Sequence, residues 1–136
     1  MMKNLVYLAE KMKEMEMIRP IKKIIKQQVD SISELAFDVM PENMIYPHVV
    51  ATITMDIYNA GLHNMQIDFD VWDLSRSTEN IDIISEKIID KLNGFKHTDR
   101  NMNFVMYFAN AAYIQDTNKE LRRKTCTFEV QARKGK

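Results

Sequence analysis

The sequence has little of what small enzymes usually need. It contains three glycines, Gly61, Gly94 and Gly135, each isolated. A phosphate-cradling loop needs several within one turn, so that chemistry is excluded. Cys126 is the only cysteine, and a lone thiol cannot close an internal disulfide. It lies in an apolar alternation, where a buried thiol is usual, and the chain is expected to fold in a reducing cytoplasm. No apolar run approaches the ~18 residues of a membrane helix. Charged side chains scattered from Leu5 to Met17 do not suit a secretory signal. His48, His63 and His97 fall on different elements with no metal-ligand spacing, and each reads as a surface or loop histidine.

What is present is an ordinary globular composition. The chain has 136 residues, of which 46% are hydrophobic, which fits one domain. That domain is expected over 1–132, with an extra helical segment at 1–18 and a frayed basic tail at 133–136. Lys plus Arg and Asp plus Glu both number 19, yet the charges are uneven. Residues 1–30 carry seven basic and four acidic side chains, and 117–136 carry seven and two, so 31–116 holds five and thirteen. A basic start, an acidic centre and a basic end give a chain with unlike electrostatic faces.

Hydrophobic periodicity predicts the elements. Leu5, Leu8, Met12 and Met15 or Glu16 mark an amphipathic helix over 2–16. Arg19-Pro20 breaks it, and Pro20 opens a second helix over 20–30 with Ile21, Ile24, Ile25 and Gln28 or Val29 inside. Leu35, Phe37 and Val39 alternate as a short strand. Tyr46-Pro47 leads into a β-branched strand over 48–54. A loop is expected over 55–63, around Asn59-Ala60-Gly61. In the strand 64–73, Met65, Ile67, Phe69 and Val71 face the core, while Gln66, Asp68, Asp70 and Trp72 face outward. Ser77 or Thr78 caps a helix over 78–92, which Asn93-Gly94 ends. Strands over 103–115 and 121–132 close the chain through a turn at Asp116 to Lys119. The order α-α-β-β-β-α-β-β predicts an α+β fold. It is a mostly antiparallel sheet of four to five strands with helices on one face.

Chemistry is harder to find. Asp68 and Asp70 share a strand face, the arrangement of a divalent-metal site. A third ligand is missing, because the isoleucines of the following helix place Glu86 and Asp90 on the opposite face. A solvated or partner-facing strand explains the pair better. Trp72 sits with the aspartates, either wrapping over a sheet edge or serving as an interface anchor. Arg122, Arg123 and Lys124 form a modest basic patch, too small beside the acidic centre for a nucleic-acid reader. No catalytic, cofactor or metal residue is assigned.

The stretch from Ser33 to Val130 resembles the phage tail-terminator family, the tail-completion or head–tail joining proteins of long non-contractile tails. The resemblance rests on Leu35-Ala36-Phe37-Asp38-Val39-Met40-Pro41-Glu42, then Tyr46-Pro47-His48-Val49-Val50. It continues through Ile67-Asp68-Phe69-Asp70-Val71-Trp72-Asp73, a capped helix ending Leu92-Asn93-Gly94, Ile114-Gln115-Asp116, and Phe128-Glu129-Val130. It implies a virion tail protein made in the bacterial host cytoplasm. Such a subunit closes into a ring, often of six, on the tail tube. Its partners would be copies of itself, the major tail tube protein and a head completion or connector protein, with DNA only as passing cargo and no membrane. No reaction or cofactor is implied. Candidate contact residues are Asp56, Tyr58, Asn59 and His63 in the 55–64 loop, Asp68, Asp70 and Trp72 on the polar strand face, and Arg122, Arg123 and Lys124. Three other readings are a head-side neck adaptor, a small metal-dependent enzyme using Asp68 and Asp70, and a regulatory module holding a ligand in a sheet cleft.

Overall fold

The computed structural model describes residues 17–33, 35–38 and 45–135. The helix expected over 2–16 lies outside them. Helix α1 occupies 17–29, so Pro20 does not open it; residues 17–19 are already helical. Proline holds φ near the helical value and removes only one donor. Burial of Ile21, Ile25 and Val29 sets the helix against the core.

Among the described residues six strands follow, not four or five: β1 (Leu35–Phe37), β2 (His48–Asn59), β3 (Leu62–Leu74), then helix α2 (Glu79–Leu92), β4 (Lys96–Thr98), β5 (Met102–Ile114) and β6 (Leu121–Lys134). They form one sheet in the order β1-β2-β3-β6-β5-β4. The sheet is mixed, since β1 runs parallel to β2 while every other neighbour pair is antiparallel. The extra strand β4 is three residues long and polar, so no periodicity announces it.

The largest correction is at residues 55–63. This stretch is no loop: β2 runs straight into a two-residue turn at Ala60 and Gly61, with φ of 51° and 83°. Two consecutive left-handed residues make a hairpin turn whose twist matches the flanking strands. A bulge between Ile53 and Met55 hid the strand. The extra residue reverses the in–out phase, so apolar Met55 and Ile57 point to the side opposite Ile53. A second bulge interrupts β5 between Phe108 and Asn110. At the other end, Arg133 and Lys134 are not frayed; they pair with Asn103 and Met102.

Helices α1 and α2 contribute to one cluster on one sheet face. Ile21, Ile25 and Val29 from α1 and Ile81, Ile84, Ile88 and Leu92 from α2 meet Met65, Ile67, Phe69, Val71, Cys126, Phe128 and Val130. Phe128 is its centre, with ring centroids 5.4 Å from Phe69 and 5.6 Å from Phe108, both edge-on. Edge-on contact sets the positive rim of one ring on the negative face of the next.

Helix α2 begins as the sequence implies. Ser77 Oγ accepts the Glu79 N–H at 3.1 Å, and Glu79 and Asp82 sit in the positively polarised first turn. Thr78 instead donates its hydroxyl to Asp82 Oδ2 at 3.0 Å. Gly94, at φ 78°, takes the left-handed exit.

Candidate functional site

The register fixes which candidate residues meet. Partners directly opposite in a sheet share a face. His48, Trp72 and Arg123 therefore line up on the face opposite α1 and α2, followed by the rows Val50–Asp70–Thr125 and Thr52–Asp68–Thr127; His48, Val50 and Thr127 on it are buried. We call this the open face.

Asp68 and Asp70 do lie together there, as expected, but one oxygen of each is engaged. Thr127 Oγ1 donates to Asp68 Oδ1 at 2.7 Å, and Thr125 Oγ1 donates to Asp70 Oδ1 at 2.5 Å. Arg123 Nε adds a 3.3 Å contact to Asp70, and its guanidinium carbon stands 4.9 Å from the Trp72 ring centroid. The row is a cross-strand polar network with a cation–π stack at its end. Trp72 is half-buried and held in place by Arg123. Asp73, the next acid in the run, turns the other way. It is buried and accepts from Asn80 Nδ2 at 3.0 Å, fixing α2 to β3. Among the described residues no group of three His, Cys, Asp or Glu side chains is placed to hold a metal.

The basic run Arg122-Arg123-Lys124 does not form a patch, because strand alternation sends neighbours to opposite faces. Arg122 donates to the Ser75 and Arg76 carbonyls, Arg123 reaches Asp70, and Lys124 reaches Asp82. Three charges adjacent in sequence thus meet three different partners.

The histidines also differ from expectation. His63 is 3% exposed, with Nδ1 3.0 Å from Asp56 Oδ1 and the Tyr58 ring 4.7 Å away. Asp56, Tyr58 and His63 therefore form one knot on the β2–β3 hairpin, and Asn59 stands at its turn. His48 is 2% exposed, and neither ring nitrogen has a hydrogen-bond partner among the described residues. Only His97 behaves as a surface residue, with Nε2 2.7 Å from Asp99.

One cluster escaped the sequence entirely. On the helix face, Asp82 of α2 accepts from Tyr113 Oη at 2.5 Å and from Lys124 Nζ at 3.3 Å. Lys124 also stands 4.9 Å from the Tyr113 ring. The Tyr113 hydrogen bond, opposed by partial burial and reinforced by Thr78 and Lys124, holds the Asp82 carboxyl below its usual value. The same bond to Asp82 raises the Tyr113 phenol. Burial pushes Lys124 down, but Asp82 and Tyr113 outweigh it and the net direction is up. No spacing rule connects three residues on three elements.

Exposed apolar side chains include Ile45, Leu74, Ile83 and Tyr107, and a group at the ends of β2 and β5. Met55, Ile57 and Tyr58 on β2 and Tyr113 and Ile114 on β5 are all exposed. No helix of the described residues is long and apolar enough to cross a membrane.

These features define, over the described residues, a six-stranded mixed-sheet α+β domain with α1 and α2 packed on one face and rich in cross-strand contacts. No family model matches the chain, and neither does any curated protein. Among solved structures, the fold matches a chain from the virion of a native gene transfer agent particle. That match has a TM-score of 0.62 and 13% identity, and it covers 82% of this chain and 92% of the other. The fold is therefore one found in a virion subunit.

Proposed function

We propose that this chain is a structural subunit of a phage-like virion, and specifically a tail terminator. It would close into a ring on the finished tail tube, stop tube growth and present the surface that joins the head. The carrying observation is the fold shared with a gene transfer agent virion chain over nearly the whole of that chain. The strand and turn order that resembles tail terminators adds to it. In this reading the partners are other copies of the chain, the tail tube protein and a head connector protein, and DNA passes through the ring. The open face, which carries no helix among the described residues, is the side that turns to the channel. A hydrolytic role for Asp68 and Asp70 is disfavoured, because threonine hydroxyls occupy one oxygen of each.

The test is to add the purified chain to polymerising tail tubes and image them by negative-stain electron microscopy. Tubes should stop growing and carry a ring at one end. Unchanged tube growth together with binding to DNA-filled heads would replace this reading with a head-side neck adaptor.

A further inference from the structure

Among the described residues the sheet is left open at two places, and they lie on diagonal corners. Strand β1 covers β2 only at Val49, Val50 and Ala51. Strand β4 covers β5 only at Asn103, Phe104 and Val105, and the turn after α2 bonds to β5 at Met106 and Phe108. Among the described residues, nothing pairs with the outer edge of β2 beyond Met55 or of β5 from Ala109 to Ile114. One row of the sheet runs Ala51–Phe69–Cys126–Ala111, and another runs Ile57–Asn64–Gln131–Val105. The open part of β5 is therefore level with the covered part of β2, and the open part of β2 with the covered part of β5.

Resting on the ring reading above, we infer that copies of this chain join head to tail by pairing the open edge of β2 in one copy, residues 55–59, with the open edge of β5 in the next, residues 109–114. Four observations carry this. Strand directions alternate from β2 through β3 and β6 to β5, so β2 and β5 run oppositely. A neighbour placed beside β5 thus adds an antiparallel strand without turning over, and the open face stays continuous. The edges also fit in size. Ala109, Ala111 and Ala112 on β5 leave room for Met55, Ile57 and Tyr58 on β2. Neither edge carries the lysine or proline with which proteins block unwanted strand addition, and the one charge, Asp56, is engaged by His63. Finally, the two edges are different surfaces of one molecule, so pairing is heterologous and each copy keeps a free edge for the next; such contacts close into rings when the rotation allows. The diagonal offset supplies the stagger that a sheet needs to close on itself with tilted strands.

The test uses the full chain with Ile57→Cys combined in turn with Asn110→Cys, Ala112→Cys or Ile114→Cys, positions that share the open face. Mild oxidation should give a ladder of covalent multimers on non-reducing gels in at least one pair. Each single substitution should give dimers at most. Separately, Ala112→Lys changes an exposed side chain and should weaken self-association measured by mass photometry by about tenfold or more, roughly 1.4 kcal/mol. Rings that form without any ladder and are indifferent to Ala112→Lys would overturn the edge pairing and leave the ring reading standing. A chain that stays single at all concentrations and on tail tubes would overturn both. Cross-linking of Ile57→Cys or Ala112→Cys to the tail tube subunit, with none between copies, would assign the edge to the tube and overturn pairing between copies.

Discussion

Tyr113, on the last turn of strand β5, donates its hydroxyl to Asp82 on helix α2 at 2.5 Å and so ties the helix to a sheet edge. Removing the hydroxyl in Tyr113→Phe should cost about 1 kcal/mol, less than the ~1.5–3 kcal/mol of a buried hydrogen bond to a charged group, because Tyr113 is exposed. Urea unfolding at pH 7 measures it, and an unchanged midpoint would show that the bond adds nothing net.

Acid should weaken the same tie. The folded Asp82 carboxyl lies below its ordinary value of 3.8. A lowered folded value means that the unfolded chain binds the proton more readily, so stability from this group is complete above the unfolded value. It is lost as pH falls through the folded value. The gap between the native chain and Asp82→Asn should stay level from neutral pH down to about 5 and shrink below about 4. A gap that persisted at pH 2.5 would place its source elsewhere.

Magnesium and manganese should leave the melting temperature unchanged, in the native chain and in Asp68→Asn alike. The carboxylates that seemed poised for a cation in sequence accept hydroxyls from Thr125 and Thr127. Asp70→Asn should still cost about 1–2 kcal/mol, since Asp70 is the acceptor for both Thr125 and Arg123. A large metal-induced stabilisation abolished by Asp70→Asn would revive the enzyme reading.

The parts legible in the sequence were those with an uninterrupted period. Strand β3 alternates without a break, and helix α2 spaces Ile81, Ile84, Ile88 and Leu92 on one side, so both appeared within two residues of their bounds. A single inserted residue near Thr54 was enough to turn half of β2 into an apparent loop, because phase is all that alternation measures. Parallel pairing of β1 with β2 and the place of β4 depend on contacts remote in sequence. The separation of Asp68 and Asp70 from α2 was readable, but their threonine partners on β6 were not. Knowing them requires the register of β3 against β6.

The centre of the core should be the most sensitive position. Phe128 is fully buried between Phe69 and Phe108. Phe128→Ala should cost about 3–5 kcal/mol and Phe128→Leu distinctly less. Chemical denaturation would rank them, and equal losses would mean that ring geometry rather than lost volume sets the cost.

Cys126 offers a check on the whole sheet that needs no substitution. Its thiol is fully buried beside the aromatic core, and burial pushes its pKa up to about 11. Only the thiolate reacts with disulfide reagents, so at pH 8 the folded chain presents almost no reactive form and no path to it. Labelling by a disulfide reagent should therefore wait for the sheet to open, whereas the urea-unfolded chain should react within the mixing time. Cys126 lies on the helix side of the sheet, between Phe69 and Ala111 in register and beside Ser85 of α2, so it is freed when α2 lifts or β6 separates from a neighbour. Adding urea below the transition should raise the labelling rate in step with the unfolded population. Fast labelling that ignores urea would mean that the cover over Cys126 opens locally, by lifting of α2 or parting of β5 from β6, without global unfolding.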